Sequence, residues 1–255
     1  ERISRLAFTS KSKKNMKNYL VQSLYKINAT VAKPGEEIPP SMNGDVYSFY
    51  KQLQQISYNS FRHFLQGEWE YVLIEKEVDN VLDVFRNNFQ SIYDLRQAGP
   101  CNILYCGLDS QMIRPTEVFG KYDQFRMFNH TDPKRNRHFE NNFNCDIRYY
   151  PSTLDEKWWD FTMEWKEKIK IWEDEQNVYN WILWGQGVTV DQVLDPKMAF
   201  QAHMMAGPDH NADAASHWNG LNINESHMIH WHSSRGPENR IATMGEVNQR
   251  TKVPQ

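Results

Sequence analysis

The feature that most constrains this chain is the run Asn102-Ile103-Leu104-Tyr105-Cys106, apolar on both faces and opening directly onto Gly107-Leu108-Asp109. A strand without alternation must be covered from both sides, as the central strands of parallel sheets are. Trp69–Ile74 reads as an earlier strand. Between the two, Val78–Leu95 carries Val81, Val84, Phe85, Phe89, Ile92 and Leu95 at three- and four-residue steps. That spacing predicts an amphipathic helix, and Ala98-Gly99-Pro100 is its stop signal. Strand, helix, strand in this order implies an α/β fold with helices on both faces of the sheet. Ligands of such sheets bind beyond the carboxyl ends of the strands, so function is expected after Cys106 rather than within the strand.

The same reading places other elements. Arg5–Thr9 reads as a first strand and Ser10–Lys14 as a polar turn. Met16, Tyr19, Leu20, Ser23, Leu24 and Ile27 then fall at helical spacing. Lys33–Asn43, rich in Pro and Gly, reads as a loop, and Val46–Phe64 as a helix. A further helix is predicted from near Thr153, where Thr153 and Glu156 have capping-box spacing. Leu154, Trp158, Phe161, Trp165, Ile169 and Trp172 form its apolar stripe, read as core, and a second helix runs from Glu173 to about Leu183.

Composition narrows the function classes. Hydrophobic residues make up 40% of the 255, and aromatics 13%, enough for an ordinary core. A net charge of −3 argues against a general binder of phosphate backbones. No apolar run approaches the length of a membrane span. The charged opening Glu1–Arg5 does not read as a signal peptide. Cys101, Cys106 and Cys145 lack metal-type spacing and read as reduced thiols, so a cytoplasmic location is expected. The glycan-acceptor patterns at Asn28, Asn129 and Asn224 are accordingly read as chance.

Three groups of residues suggest chemistry. Asp109, at the open end of a central strand, is placed to bind a divalent cation, and an oxygen ligand suits Mg²⁺ or Mn²⁺. In Glu173–Asn180, Gln176 and Asn180 lie one helical turn apart, where two amides can hydrogen-bond sugar hydroxyls. Six of the nine histidines, His203, His210, His217, His227, His230 and His232, fall within thirty residues. On a strand, His230 and His232 would share one side, and Arg235 follows as a natural partner for a diphosphate.

Read together, these segments resemble the glycogenin-like and bacterial galactosyltransferase-like group of GT-A glycosyltransferases. Asn102–Ser110 looks like the group's apolar strand leading into Asp-x-Asp, which binds Mn²⁺ and the donor pyrophosphate. Glu175-Gln176-Asn177-Val178-Tyr179-Asn180 is similar to its Asp-Gln-Asp-x-x-Asn motif, and Asp195–Gln201 to the segment after it. Ile229–Gly236 resembles the C-terminal segment whose histidine completes the metal site. His232 is the first match and His230 the second. More loosely, Leu6–Ser10 with Tyr19 fits the nucleotide-binding first strand.

The resemblance implies a single GT-A-like domain over residues 1–255, with a mixed, mostly parallel central sheet flanked by helices. Residues 1–110 would form the nucleotide-binding half and residues 111–255 the acceptor and sugar half. It implies transfer of a hexose or pentose from a nucleoside-diphosphate sugar, UDP-sugar being the expected donor. The acceptor stays open among saccharide, protein, small molecule and modified DNA. Thr9, Ser10, Tyr19 and Arg235 would hold the donor, while Asp109 with His232 or His230 would hold Mn²⁺ or Mg²⁺. Gln176 and Asn180 would orient the sugar, with Glu175 as base or charge stabiliser.

Two departures stand out. Gly107 replaces the first acid of Asp-x-Asp, a vacancy for which Asp123, Asp132 or water are candidates, and Asn177 replaces the second acid of the helical motif. They motivate a catalytically inactive nucleotide-sugar-binding module as one alternative. A metal-dependent hydrolase using His230, His232, Asp209, His210 and Asp213 is the other.

Overall fold

The computed structural model describes residues 16–27, 46–79, 81–129, 143–169, 178–179, 193–194, 199–204, 227–233 and 237–254. In chain order these form β1 (Lys17–Ile27), α1 (Val46–Phe64), β2 (Glu70–Val78), α2 (Val81–Gln97), β3 (Cys101–Cys106) and β4 (Ser110–Met112). Then follow β5 (Arg126–Asn129), β6 (Phe143–Tyr150), α3 (Glu156–Lys166), β7 (Val193–Leu194), β8 (Ala199–Met204), β9 (Met228–Ser233) and α4 (Pro237–Arg250).

The large sheet has the order β2-β1-β3-β6-β5-β7. β1 runs parallel to both β2 and β3, and β7 parallel to β5, whereas β6 is antiparallel to β3 and β5. The architecture is therefore α/β with a mixed, mostly parallel sheet, as expected. From β1 the chain goes first to one side, then crosses back, so its path reverses between β1 and β3. Such a switch point opens a crevice at the strands' carboxyl ends. A smaller sheet, β4-β9-β8, begins where β3 ends.

Side-chain alternation along β1 and β3 divides the core between the sheet's two faces. Tyr19, Val21, Ile103 and Tyr105 pack with Phe89 and Ile92 of α2 and with Trp158 and Trp159 of α3. Leu20, Leu104 and Cys106 pack instead with Phe61 and Phe64 of α1. All six residues of β3 are buried, which is the origin of its unbroken apolar run.

The helix expected over Met16–Ile27 is instead this central strand. Residues 20–24 are buried without interruption, so the pattern shows neither alternation nor a helical face. Met16 and Ile27, the ends of the apparent helical spacing, are 55% and 45% exposed. Their contribution to the periodicity was coincidental. The first strand expected at Arg5–Thr9 lies outside the described residues.

A second correction concerns α3. Its N-cap is Asp155, whose side chain accepts from the Trp158 amide, so Thr153 and Glu156 do not form a capping box. Thr153 donates its hydroxyl to Asp123 O instead. Trp158 and Ile169 of the predicted stripe are buried, but Phe161 is exposed and Trp159 takes its share of the core.

A buried polar relay fastens α1 to the sheets. Gln22 Nε2 donates to Ser57 Oγ at 2.7 Å, Ser57 Oγ donates to Ser110 O, and Tyr71 Oη donates to Gln22 Oε1 at 3.1 Å. Ser57→Ala would leave buried acceptors and donors without their partner. It should cost ~1–3 kcal/mol, read as a lower urea midpoint at unchanged m-value. An unchanged midpoint would mean that the relay contributes nothing.

Candidate metal centre

Three side chains converge where β3 ends. The turn after Cys106 is pinned on both sides: Gly107 N donates to Asp146 O at 2.6 Å, and Trp231 N to Asp109 O at 2.8 Å. Ser110 N closes the turn onto Gly107 O at 3.0 Å. β4 then pairs with β9 so that Ser110 stands opposite His230. This pairing sets the His230 imidazole beside the turn, with Nε2 3.3 Å from Asp109 Oδ1 and 3.0 Å from Asp146 Oδ2. One ligand atom from each of Asp109, Asp146 and His230 lies within 4.8 Å of the others.

A fourth charge joins from α4. Arg240 Nη1 donates to Asp109 Oδ2 at 2.9 Å. The helix is held at that position by Gln111, which donates to Met244 O and to Asn248 Oδ1 while accepting from Trp231 Nε1. The site is deep on one side and open on the other: side-chain exposure is 2% at His230, 18% at Asp109 and 38% at Asp146. Asp146 therefore forms the mouth.

Electrostatics follow from that burial. Desolvation alone would push the Asp109 carboxyl up and the His230 imidazole down. The opposite charges win. His230 and then Arg240 hold Asp109 well below the usual carboxylate range. Asp146 and Asp109 raise His230 to about 10. Two carboxylates are thus balanced by a protonated imidazole and a guanidinium. A cation would need the neutral imidazole, so cation binding and the His230 proton exclude one another.

The residues fit a divalent cation. Two carboxylates and one imidazole form an oxygen-rich donor set suited to Mg²⁺ or Mn²⁺. The space between them is kept clear because Gly107 lacks a side chain: a Cβ there would stand 3.0 Å from Asp109 Oδ1.

The structure therefore brings Asp109 and His230 together and adds two residues that sequence reasoning missed. Asp146 is a member of the cluster, whereas Asp123, a candidate for the vacancy at Gly107, is exposed and not part of it, and Asp132 lies outside the described residues. The signal for Asp146 was an acid and an arginine at alternate positions, Asp146 and Arg148, within the strand Phe143–Tyr150. Arg240 would have needed a reading of the helix after Pro237.

His230, ranked second by resemblance, is the histidine of the cluster. His232 lies two residues on in β9, opposite His203 of β8, and its side chain is outside the described residues. Thr9, Ser10, Glu175, Gln176, Asn180 and Arg235 are also outside them, as are Asp209, His210 and Asp213.

Tyr19 is placed differently from expectation. It is level with Ile103 in mid-sheet, buried, and its ring lies 5.7 Å from Lys17 Nζ toward the amino end of the strands. That is away from the crevice, so it serves the core rather than a nucleotide there. Of the Glu175–Asn180 segment, Val178 and Tyr179 are described. Tyr179 Oη lies 2.7 Å from Tyr150 Oη. Its ring also faces the buried Arg148 guanidinium at 4.6 Å, and Tyr105 covers the other contact at 4.1 Å. Arg148 is two residues from Asp146 on β6, so Tyr179 packs against the strand that carries a member of the cluster.

No protein-family model and no curated protein matches the chain. Among the solved structures with which it shares a likeness are three glycosyltransferases. One glycosylates the major capsid of PBCV-1, with 10% identity, TM-score 0.48, and coverage of 90% of this chain and 99% of that one. GlyE of Streptococcus pneumoniae TIGR4 gives 12% identity and TM-score 0.46 over 94% of this chain and 64% of that one. Mouse xyloside xylosyltransferase 1 gives 10% identity and TM-score 0.45 over 84% and 97%.

The His230 shift has a measurable consequence in chelated protein. A folded pKa above the unfolded value lends stability that is complete below about 6.5. It is lost as pH rises through about 10. The melting temperature of the EDTA-treated protein should therefore decline over that window. His230→Gln should decline less, and equal declines would contradict the ion-paired imidazole.

Proposed function

We propose that the chain is a cation-assisted glycosyltransferase of the GT-A type, taking a sugar from a nucleoside-diphosphate donor, with UDP-sugar as the expected one. The observation that carries this reading is the Asp109–Asp146–His230 cluster at the carboxyl end of β3, beside the switch point between β1 and β3. It stands where the ordered motifs of the sequence expect a diphosphate to be held. In this reading residues 1–255 act as one catalytic domain, with a nucleotide half to residue 110 and an acceptor half after it. Among the described residues no helix is long and apolar enough to cross a membrane. The three free thiols suit a reducing compartment such as the cytoplasm.

Asp109, Asp146 and neutral His230 would hold Mn²⁺ or Mg²⁺. When bound, such an ion offsets the negative charge that grows on a diphosphate leaving group. Arg240 adds fixed positive charge on the same wall, and Arg235 is assigned to the diphosphate as well. Gln176 and Asn180 orient the donor sugar, and Glu175 serves as base or stabilises positive charge on the ring. Between Gln176 and Asn180 in sequence, Tyr179 is held against Arg148 and Tyr150 of the sheet. The deep, apolar-backed position of His230 excludes water from one side of the site and strengthens each of these charge interactions.

The oxygen-rich donor set favours this reading over a zinc hydrolase built on the same histidine. A thermal-shift screen separates them. Mn²⁺ with UDP should raise the melting temperature on the order of 5–10 °C at a hundredfold excess over Kd, and more than either alone. Asp109→Asn should remove the Mn²⁺-dependent part and slow nucleotide-sugar consumption at least ~10-fold. Stoichiometric zinc in purified protein, with no response to UDP, would point to the hydrolase. Binding without any turnover would point to the inactive module.

A further inference from the structure

Accepting the cation reading above, a question remains about its wiring: the turn after β3 supplies one carboxylate, yet two face the imidazole. Gly107 is central to the answer. It is not required for backbone freedom, since the positive-φ glycines among the described residues are Gly67 and Gly99. It is required by crowding. A Cβ at position 107 would stand 3.0 Å from Asp109 Oδ1, 3.2 Å from Asp146 Oδ1 and 3.3 Å from Asp146 Cβ. Contacts that short lie inside the optimal separation of non-bonded atoms, so a carboxylate must give by a few tenths of an ångström to admit a Cβ.

The backbone shows why Asp146 comes so near. Gly107 N donates to Asp146 O at 2.6 Å, continuing the β3–β6 ladder beyond Cys106 and Ile147. This bond draws the β6 backbone against the turn, and the Asp146 side chain then stands tightly against the position that a Cβ at 107 would take. Its carboxylate reaches His230 Nε2 at 3.0 Å, a shorter approach than the 3.3 Å made by Asp109.

We infer that the second acidic ligand of this site has been relocated from the turn to strand β6, with Asp146 standing in for a carboxylate at position 107 and Gly107 as the residue that admits it. The two positions are alternatives for one space. A side chain at 107 crowds Asp146 and Asp109 together; with Asp146 truncated to its Cβ, the contacts that remain are that Cβ and Asp109 Oδ1, the far end of a side chain. Unlike two acids on one turn, which move together, this pair depends on the pairing of β3 with β6. Gly107 is thus a positioning residue, acting through Asp146.

The test is Mn²⁺ binding by the purified full chain, followed by the electron paramagnetic resonance signal of free Mn²⁺. Far-UV circular dichroism and melting confirm that each variant is folded. Asp146→Asn, which preserves shape, should bind at least ~10-fold more weakly than wild type. Gly107→Asp alone should also bind more weakly, because two carboxylates contend for one space. The exchange variant G107D/D146A should recover most of the lost affinity, and G107A/D146A, which fills the space without a carboxylate, should not.

Wild-type affinity in D146N would overturn the relocation while leaving the cation site intact. Equal recovery in the two double variants would do the same, by showing that the carboxylate is immaterial. A folded G107D/D146A that binds no better than D146N would show that the positions are not interchangeable and would also overturn it. Wild type without Mn²⁺ binding would remove the cation reading itself, and this inference with it.

Discussion

The structure turns on one interaction: a buried imidazole held between two carboxylates that come from different parts of the chain. Asp109 belongs to the turn after β3, Asp146 to β6 and His230 to β9. No two of these elements are consecutive. Bringing three such charges out of water is favourable only when each finds its partners, because an unmatched buried charge costs several kcal/mol. Much of the surrounding architecture meets that demand. The small sheet registers His230 against Ser110, the ladder beyond β3 brings Asp146 to the turn, and α4 delivers Arg240 to the remaining oxygen of Asp109.

The charge balance also explains how the site could both persist and react. Without a cation, the His230 proton and Arg240 offset the two carboxylates. In the cation-bound state proposed above, His230 would give up that proton and the carboxylates would face the cation instead. The ligand set is therefore preformed but not irreversibly committed. Such a set suits the donor-binding role proposed above, and differs from a structural metal centre, where the ion itself supplies folding energy.

Much of the fold was legible in the sequence, for identifiable reasons. α1 and α2 are amphipathic, with one face against the sheet, and such periodicity survives in a single sequence. β3 was legible because uninterrupted burial leaves an apolar run too short for a helix. β1 was misread for a related reason: a strand covered on both faces has no period of two, and exposed Met16 and Ile27 supplied a false helical one. The site was half legible. Asp109 follows from the end of an apolar strand and His230 from the histidine-rich stretch. Asp146 and Arg240 do not, because their role arises from antiparallel pairing and from helix docking across more than thirty residues. Even the absence of a side chain at Gly107 reads differently in three dimensions. In sequence it is a missing acid; in the fold it is the gap against which Asp109 and Asp146 both stand.

The central claim is that Asp109, Asp146 and His230 grip one divalent cation. Anomalous diffraction at the manganese edge, from crystals grown with Mn²⁺ and UDP, tests it most directly. The account expects a single strong peak within ~2.5 Å of oxygen atoms of both carboxylates and of His230 Nε2, with the diphosphate on its exposed side. A peak bound elsewhere, or a bound nucleotide with the His230 imidazole still paired to both aspartates and no metal between them, would contradict it.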